Sequence, residues 1–474
     1  MSETETAALR TEPAPPEQDV PVETNLDEDD RLKPEFVSAV LAAVEAGDAD
    51  AARALVEPLH PADVADLLEL TPEDRRAGVA AALGDIVGAE VLSELNDYVR
   101  DTVVEALEPE QLAELAAELD TDDAVAIIED LDEEDQQAVL DAMEPEDRAA
   151  IESALAYPEE TAGRLMQRDL VAVPEHWTVG QTIDYLRETV DLTADFWEIF
   201  VVDATHKPIG TCQLSWVLRC PRDIAISDVM KREQTLIPVD MDQEEVALRF
   251  QKYALISAAV VDPSGRLVGM ITVDDVVHII QEEAGEDILR LSGAGDGDIN
   301  EPVVDSYKAR VRWLLSNLLT ALLASTVIAH FEGTISRMVA LATLMPIVAG
   351  VGGNAGSQTM AVTVRALATN QITASNTWRT ILREIRVALL NGATVAAVIG
   401  VGVALVFGNP LLGGVIAAAM MTNIVTAGFA GVAVPLIFDR VNVDPAVASS
   451  IFVTMITDSM GFLAFLGLAT LAGI

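Results

Sequence analysis

Five long apolar runs in the last third of the chain constrain its fold more than any other feature. Each run has about twenty residues or more, the length that an α-helix needs to cross a hydrocarbon core of roughly 30 Å. Inside lipid every backbone polar group must be bonded internally, so these runs predict transmembrane helices. The predicted spans are Val311–Phe331, Ile335–Val364, Ile385–Phe407, Leu411–Phe438 and Pro445–Ile474.

Charge is divided unevenly along the 474 residues, whose net charge is -48. From Tyr307 onward the chain has nine basic and five acidic residues, a net charge of +4. The first 306 residues therefore carry a net charge of -52. A field this acidic repels nucleic acid and attracts cations, although most single carboxylates simply keep a domain soluble. Two cysteines, Cys212 and Cys220, are too few for a disulfide framework, which fits a reduced cytosolic region.

Basic residues beside the apolar runs predict the orientation in the membrane. Cytoplasmic flanks carry an excess of Lys and Arg, so the acidic region is predicted to be cytoplasmic and the C-terminus extracytoplasmic, in the plasma membrane. No basic region followed by an apolar core opens the chain, so we expect no cleaved signal peptide. The flanking residues are Lys308, Arg310 and Arg312, then Arg365, Arg379, Arg383 and Arg386, and finally Arg440.

The acidic region divides into a tail and a helical array. Residues 1–32 are rich in Pro, Glu and Asp without apolar periodicity, which predicts a disordered tail. Residues 33–160 have helical periodicity, and from Leu107 a 12-residue repeat places an apolar residue before each acidic turn. Stacked short helices of this kind predict an acidic α-solenoid. The repeated positions are Leu107, Leu119, Leu131, Met143 and Leu155.

Residues 161–275 contain two similar copies at a spacing of 64, including Pro174 with Pro238. Each copy predicts a strand, a helix, two β-branched strands around a turn and a final helix, and the pair resembles tandem CBS modules. In that family a Thr and an Asp of the last turn often hold a nucleotide ribose. The second copy has Thr272 and Asp275, which predicts one site for ATP or another adenine nucleotide. Dimerisation without a ligand is the alternative, and it is the one that the sequence favours.

Residues 276–306 are predicted to connect this pair to the membrane. Val276 to Leu291 predicts a helix that carries Glu282, Glu283, Glu286 and Asp287, and the Gly-rich run that follows predicts a flexible joint. Residues 307–474 then form the predicted five-helix membrane domain. The expected fold class is therefore an α-helical membrane protein with a cytoplasmic α-solenoid and an α+β tandem CBS domain.

Asp458 is the only acidic residue well inside any of the apolar runs. An ionised carboxylate at that depth costs about 3 kcal/mol on insertion scales, so it indicates a partner, a water-filled path or a bound cation. A structural carboxylate that caps a broken helix or pairs with a hidden Arg is the alternative. No Lys or Arg lies in the middle of a predicted span to pair with Asp458, which favours a functional role for this carboxylate.

The second span carries Pro346 and several glycines among the polar residues Asn354, Ser357 and Gln358. Pro and Gly weaken a helix, so we expect irregular backbone there, which is tolerated only when buried or beside a wet cavity. Backbone carbonyls freed in this way are ligands for a hard, hydrated cation. Small residues also mark close helix packing, which is the alternative.

Several motifs together resemble the MgtE family of magnesium channels. They are PIVAGVGGNAGSQ, VTVRALAT, VDPAVASS leading into TDSMGF, and ITVDDVV with EEAGEDI before RVRWL. The resemblance implies a homodimer around one central pore, where Asp458 of each chain holds hydrated Mg²⁺ and Asn354, Gly353 and Thr454 line the path. It also implies that cytoplasmic Mg²⁺ closes the pore through acidic interfaces and the connecting helix. The residues assigned to that regulation are Asp122, Asp123, Asp275, Glu286 and Asp287.

The chemistry of the residues agrees with this resemblance. Mg²⁺ sheds water reluctantly and suits few carboxylates with retained water, whereas a site richer in charge would bind too tightly to conduct. The fifth span has no His or Cys, which disfavours zinc or copper. His278 stands where the family commonly has another acid, and the first CBS copy lacks the acidic end. The alternatives are broader divalent transport, including Mn²⁺ or Co²⁺, and a membrane-anchored Mg²⁺ or nucleotide sensor. No enzyme motif appears.

Overall fold

The structure is a computed structural model that describes residues 25–189, 196–294, 297, 299–373 and 375–474. The side chains of Asp287 and Ala448 also lie outside the described part. The chain forms two compact units, one of Met1–Asp240 with Ala259–Met270 and one of Met241–Ala258 with Ile271–Ile474. Each unit is described below by itself.

The first unit begins with an array of short α-helices. Their apolar faces meet in one continuous core that includes Val40, Leu68, Leu92 and Ile128, all buried. A 3₁₀ turn, Gly84–Ile86, follows the fourth helix. The helices are α1 (Pro34–Glu45), α2 (Ala49–Val56), α3 (Pro61–Glu69), α4 (Glu73–Leu83), α5 (Ala89–Ser93), α6 (Asp97–Val104), α7 (Pro109–Ala116), α8 (Thr121–Glu129), α9 (Glu133–Ala142) and α10 (Pro145–Leu155).

The 12-residue repeat sets the spacing of the last four of these helices, which begin at Pro109, Thr121, Glu133 and Pro145. An acidic residue precedes each helix, and the Asp132 carboxylate accepts hydrogen bonds from two backbone N–H groups of α9. Such caps satisfy donors that have no partner inside the helix. Helix α7 packs on α9 and α8 packs on α10, so the repeat builds a stack as predicted.

Of the predicted tail, residues 1–24 lie outside the described residues. The remainder forms a small turn in which Leu26 and Leu32 make an isolated antiparallel bridge. Leu32 is buried against the first helices, and this burial of an apolar side chain explains why the segment has a defined position.

The two sequence copies fold into two three-stranded sheets with the strand orders β1-β2-β3 and β4-β5-β6. Strands β1 and β4 are separated by 64 residues, and each is parallel to the next strand. The later strands are 59 residues apart, which matches the five-residue insertion in the first copy. The elements are β1 (Ala172–Pro174), α11 (Val179–Glu188), β2 (Glu198–Val202), β3 (Pro208–Gln213), α12 (Leu214–Val217), α13 (Ile226–Val229), β4 (Leu236–Pro238), α14 (Gln243–Tyr253), β5 (Ser257–Val261) and β6 (Leu267–Thr272).

The second unit contains the long helices. The connecting helix α15 begins at Val273, three residues before the predicted start, and ends at Gly293, whose positive φ of 67° is a common way to terminate a helix. The Gly-rich joint after it lies partly outside the described residues. The helices are α15 (Val273–Ser292), α16 (Val303–His330), the short α17 (Glu332–Arg337), α18 (Ala340–Ala368), α19 (Thr377–Phe407), α20 (Pro410–Arg440) and α21 (Pro445–Leu471).

Four stretches in the described residues are long and apolar enough to cross a membrane: α16, α19, α20 and residues 449–471 of α21. The remaining predicted span, α18, has 29 residues and is therefore long enough, but Gly, Asn, Ser and Gln lower its hydropathy. The expected break in this helix is wrong, because α18 continues from Ala340 to Ala368 through Pro346. A single proline removes one backbone donor, and neighbouring helices hold the helix together at this point.

Close packing, and not irregular backbone, explains two of the four glycines in α18, Gly352 and Gly356. Helix α20 lies against α18, α19 and α21. A Cβ on Gly352 would lie 2.0 Å from Asn423 Nδ2, and one on Gly431 of α20 would lie 2.8 Å from the carbonyl oxygen of Gly356. Small residues let the helix backbones approach this closely in lipid. Gly350 and Gly353 face open space instead.

Candidate functional site

Asp458 lies on α21, thirteen residues after the helix begins at Pro445. At 1.5 Å per residue this is about 20 Å, close to the middle of a helix that is about 40 Å long. The side chain is half-buried, and among the described residues it has neither an ion pair nor a hydrogen bond. Thr454 is one turn earlier on the same face, half-buried, and its carbonyl accepts a 3.0 Å hydrogen bond from Thr457 Oγ1.

A glycine brings α18 against α21 beside Asp458. A Cβ on Gly356 would lie 2.6 Å from Cγ1 of Val453 and 3.4 Å from Cγ2 of Thr457. The predicted pore residues Gly353 and Asn354 precede this contact by less than one turn, and Asn354 is exposed. The contact therefore brings together the two helices that carry the predicted pore residues.

Asn423 of α20 is a buried polar residue that the sequence analysis missed. Its side chain is fully buried between Gly352 of α18 and Gly461 of α21. Nδ2 donates a 2.9 Å hydrogen bond to the carbonyl oxygen of Val348, while Oδ1 is buried without a hydrogen-bond partner among the described residues. The sequence feature that could have identified this residue is its amide side chain, which lies inside the predicted apolar span Leu411–Phe438. Asn423 thus hydrogen-bonds α20 to α18 and packs against α21 at Gly461, about one turn after Asp458.

The connecting helix is tied to the start of α21 through Arg290. The Arg290 guanidinium pairs with Glu286 on its own helix, and its Nη1 donates a 2.9 Å hydrogen bond to Asp444 Oδ2. Asp444 also caps α21, because its Oδ1 accepts a 2.7 Å hydrogen bond from the Ala446 N–H. Glu286, a predicted regulatory residue, thus has an internal cation beside it. Asp287, the other predicted residue here, has a side chain outside the described part.

Thr272 and Asp275, the residues predicted for a nucleotide, do lie together. Thr272 Oγ1 donates a 2.6 Å hydrogen bond to Asp275 Oδ2 at the start of α15. The Thr272 N–H donates to the same oxygen at 3.3 Å, so the pair forms a capping box. Asp275 therefore has a structural role in starting the connecting helix.

The predicted regulatory acids of the solenoid, Asp122 and Asp123, lie half-buried in the first turn of α8. At the other end of α8, Glu129 is the more unusual carboxyl. Burial raises its pKa to about 7, and Arg164, whose Nε is 3.3 Å away, partly opposes that shift. Within the described residues no three His, Cys, Asp or Glu side chains form a preformed metal cluster.

The sequence matches three family models. A divalent cation transporter model, MgtE, covers residues 345–468, the MgtE intracellular N domain covers 59–160, and a CBS domain covers 226–282. The membrane match spans α18 to α21 and includes both Asn354 and Asp458. Together with the membrane helices, these matches define a divalent cation transporter of the membrane with an intracellular N domain and a CBS domain, and not an enzyme.

Curated relatives make the class more specific. The chain is 33% identical to the magnesium transporter MgtE of Thermus thermophilus over 397 residues, which are 80% of this chain and 85% of the relative. It is 28% identical to the magnesium transporter MgtE of Bacillus subtilis over 317 residues, 66% of this chain and 70% of the relative. The chain belongs to the MgtE family of magnesium transporters.

Solved structures similar to about half of the chain are also known. One is the cytosolic domain of the Mg²⁺ channel MgtE in complex with ATP, with 31% identity, 51% of this chain and 99% of that chain covered, and a TM-score of 0.48. Another is the soluble part of a magnesium transporter, with 24% identity, 53% and 98% coverage, and a TM-score of 0.46.

Proposed function

We propose that this transporter is a Mg²⁺-selective channel for passive magnesium uptake across the plasma membrane. The single observation that carries the proposal is Asp458, a carboxylate half-buried near the middle of α21 with no partner among the described residues. A charge in that position is costly unless a cation or water offsets it. A transported cation supplies that compensation.

The ligands near Asp458 suit a hydrated hard cation. Mg²⁺ keeps several of its waters and is bound by one or two carboxylates, so the other oxygens of the site need only contact that water. The side-chain amide of Asn354 and the hydroxyl of Thr454 are of this kind, and Gly353, which has open space beside it, leaves room for the water of hydration. A carboxylate from each of two chains offsets the charge of the ion without trapping it.

A second copy of the chain completes the proposed pore. Asn354 and Ser357 are exposed on α18 in the single chain, at a depth where lipid cannot hydrogen-bond them. A homodimer that places these faces around a water-filled path removes that cost. The N-terminal region is then cytoplasmic and the C-terminus extracytoplasmic, in agreement with the basic residues at the predicted cytoplasmic ends.

Gating in this proposal uses the acidic cytoplasmic region and α15. At low Mg²⁺ the negative charges repel one another and the assembly loosens, whereas at high Mg²⁺ bound ions bridge them. Asp122, Asp123, Asp275, Glu286 and Asp287 are the proposed ligands. The contact of Arg290 with Asp444 supports a mechanical link from α15 to α21. An adenine nucleotide near Thr272 and Asp275 is a proposed modulator.

Two other functions give different expectations for Asp458. A channel for a broader range of divalent cations also needs the carboxylate, because one carboxylate ring does not separate Mg²⁺ from Mn²⁺ or Co²⁺ by charge. A membrane-anchored sensor does not need it, since its spans serve only as an anchor. The unpartnered state of Asp458 favours transport over sensing.

Complementation of a bacterial strain that requires added magnesium tests the proposal. The wild-type chain should restore growth, and Asp458→Ala should fail although it reaches the membrane. Asp439→Ala, which changes an acid at the end of α20, is the matched control and should restore growth. Full rescue by Asp458→Ala would contradict the channel and leave the sensor.

A further inference from the structure

A groove of about 230 Å³ lies between α18 and α19, above α20, and it has no role in the proposed pore. Its polar lining includes Gln358, Asn391, Arg383 and Glu384, and its apolar lining includes Val362 and Val387. Glu384 is only 5% exposed, although it belongs to a membrane helix. A buried carboxylate in such a helix marks a site by default.

The charges in the groove are arranged as a neutral pair. Arg383 Nη1 pairs with Glu384 Oε1, and the Arg383 side chain is 67% exposed while that of Glu384 is 7% exposed. The second oxygen of the Glu384 carboxylate accepts no hydrogen bond within the described residues. A guanidinium available at the surface and a free carboxylate oxygen below it together fit a ligand that carries both charges.

The depth of the pair corresponds to lipid headgroups. Helix α19 has 31 residues, about 46 Å, so it exceeds a hydrocarbon core of roughly 30 Å by roughly 16 Å, and its basic residues Arg379, Arg383 and Arg386 all lie toward its N-terminal end. Glu384 is seven residues after Thr377, about 10 Å from the end of the helix. The pair therefore lies at the boundary between headgroups and acyl chains, and exposed Val362 and Val387 offer an apolar wall to a chain.

We propose that this groove binds a phosphatidylethanolamine-type lipid, with the phosphate on Arg383 and the ammonium on Glu384. Arginine recognises phosphate through paired N–H donors. The ammonium has three donors, and the free carboxylate oxygen of Glu384 accepts one of them at the same depth as the Arg383 guanidinium. A choline headgroup has no N–H donor, and a glycerol headgroup leaves the phosphate charge next to Glu384 without a balancing cation.

Native mass spectrometry of the full-length protein in detergent tests this proposal, with phosphatidylethanolamine, phosphatidylcholine and phosphatidylglycerol of identical acyl chains as probes. The wild type should retain phosphatidylethanolamine about tenfold better than the other two lipids, the effect of roughly 1.4 kcal/mol of charge-assisted hydrogen bonding. Arg383→Gln and Glu384→Gln should each abolish that preference. Arg379→Gln, one turn earlier on α19 and outside the groove, should leave it intact.

Arg383→Lys provides a second test if Glu384→Gln fails to fold, because it keeps the positive charge of the exposed partner, removes the paired N–H donors and should therefore reduce the preference. Equal retention of the three lipids, or a preference that survives Glu384→Gln, would overturn the proposal. Cysteine cross-linking that places the α19 groove against a second copy of the chain would overturn it as well.

Discussion

Nη1 of Arg290, at the end of the connecting helix α15, donates a 2.9 Å hydrogen bond to Oδ2 of Asp444, the residue that caps α21. These residues are 154 positions apart in the chain and belong to the same compact unit. Asp458 is fourteen residues further along α21. A direct contact therefore joins α15 to the helix that carries the proposed pore carboxylate.

Loss of this contact should loosen the gate. We expect Arg290→Gln to raise Mg²⁺ uptake at high internal Mg²⁺, where the gate is closed, by about 1.4-fold to fivefold, because a partly exposed ion pair contributes roughly 0.2–1 kcal/mol. Asp444→Asn should have a similar effect, since Asn still caps the helix, and the double variant should add little. The matched control is Arg249→Gln, which removes a pair within α14. Unchanged uptake in both single variants would contradict the link.

The packing of α18, α20 and α21 around Asn423 should not tolerate a methyl group at position 352. In Gly352→Ala the new Cβ would lie 2.0 Å from Asn423 Nδ2, so we expect a loss of about 1–3 kcal/mol of stability. Gly350→Ala is the control, because nothing lies within 4 Å of a Cβ there and alanine favours a helix. Thermal unfolding in detergent compares the two. Equal melting temperatures would show that the bundle relaxes around the methyl group.

Glu129 should make the region around α8 more stable at acidic than at neutral pH. Its pKa is raised from 4.5 to about 7 by burial, so the folded state holds the proton more tightly than the unfolded state. The stabilisation is complete below about pH 4.5 and is lost as the pH rises through 7. Hydrogen exchange of α8 in the full-length protein, compared with Glu129→Gln, measures this. Equal pH dependence in the two proteins would show that Glu129 is not the titrating group.

Mg²⁺ in the millimolar range should protect the cytoplasmic region from proteolysis, because weak carboxylate sites bind in that range. Asp122→Asn together with Asp123→Asn should reduce the protection, and Glu110→Gln in the first turn of α7 is the control. Cleavage rates that do not change with Mg²⁺ would contradict the sensor role.

Much of this architecture can be predicted from periodic sequence features. The repeat from Leu107 to Leu155 determines where α7 to α10 begin, because an apolar residue and an acidic cap must recur at each turn of the stack. The copies around Pro174 and Pro238 likewise predict the two sheets. Length and hydropathy predict the long membrane helices, and the cost of Asp458 identifies the proposed site.

Contacts between helices are what the sequence does not reveal. In the sequence the glycines of α18 predict a broken helix, but the role of each glycine depends on which residues lie beside it. Gly352 lies against Asn423, whereas Gly353 faces open space. Asn423 and Glu384 acquire significance only through burial. Arg290 was not predicted as a partner of Asp444, because nothing local connects residues 154 positions apart.

Mg²⁺ flux into liposomes that contain the purified protein is the most direct measurement of the central claim. Liposomes with a trapped Mg²⁺ indicator and an imposed Mg²⁺ gradient should show uptake with the wild-type protein. Asp458→Ala and the nearly isosteric Asp458→Asn should reduce it to the level of empty liposomes, because both remove the carboxylate charge. Uptake by either variant at the wild-type rate would show that Mg²⁺ does not pass Asp458.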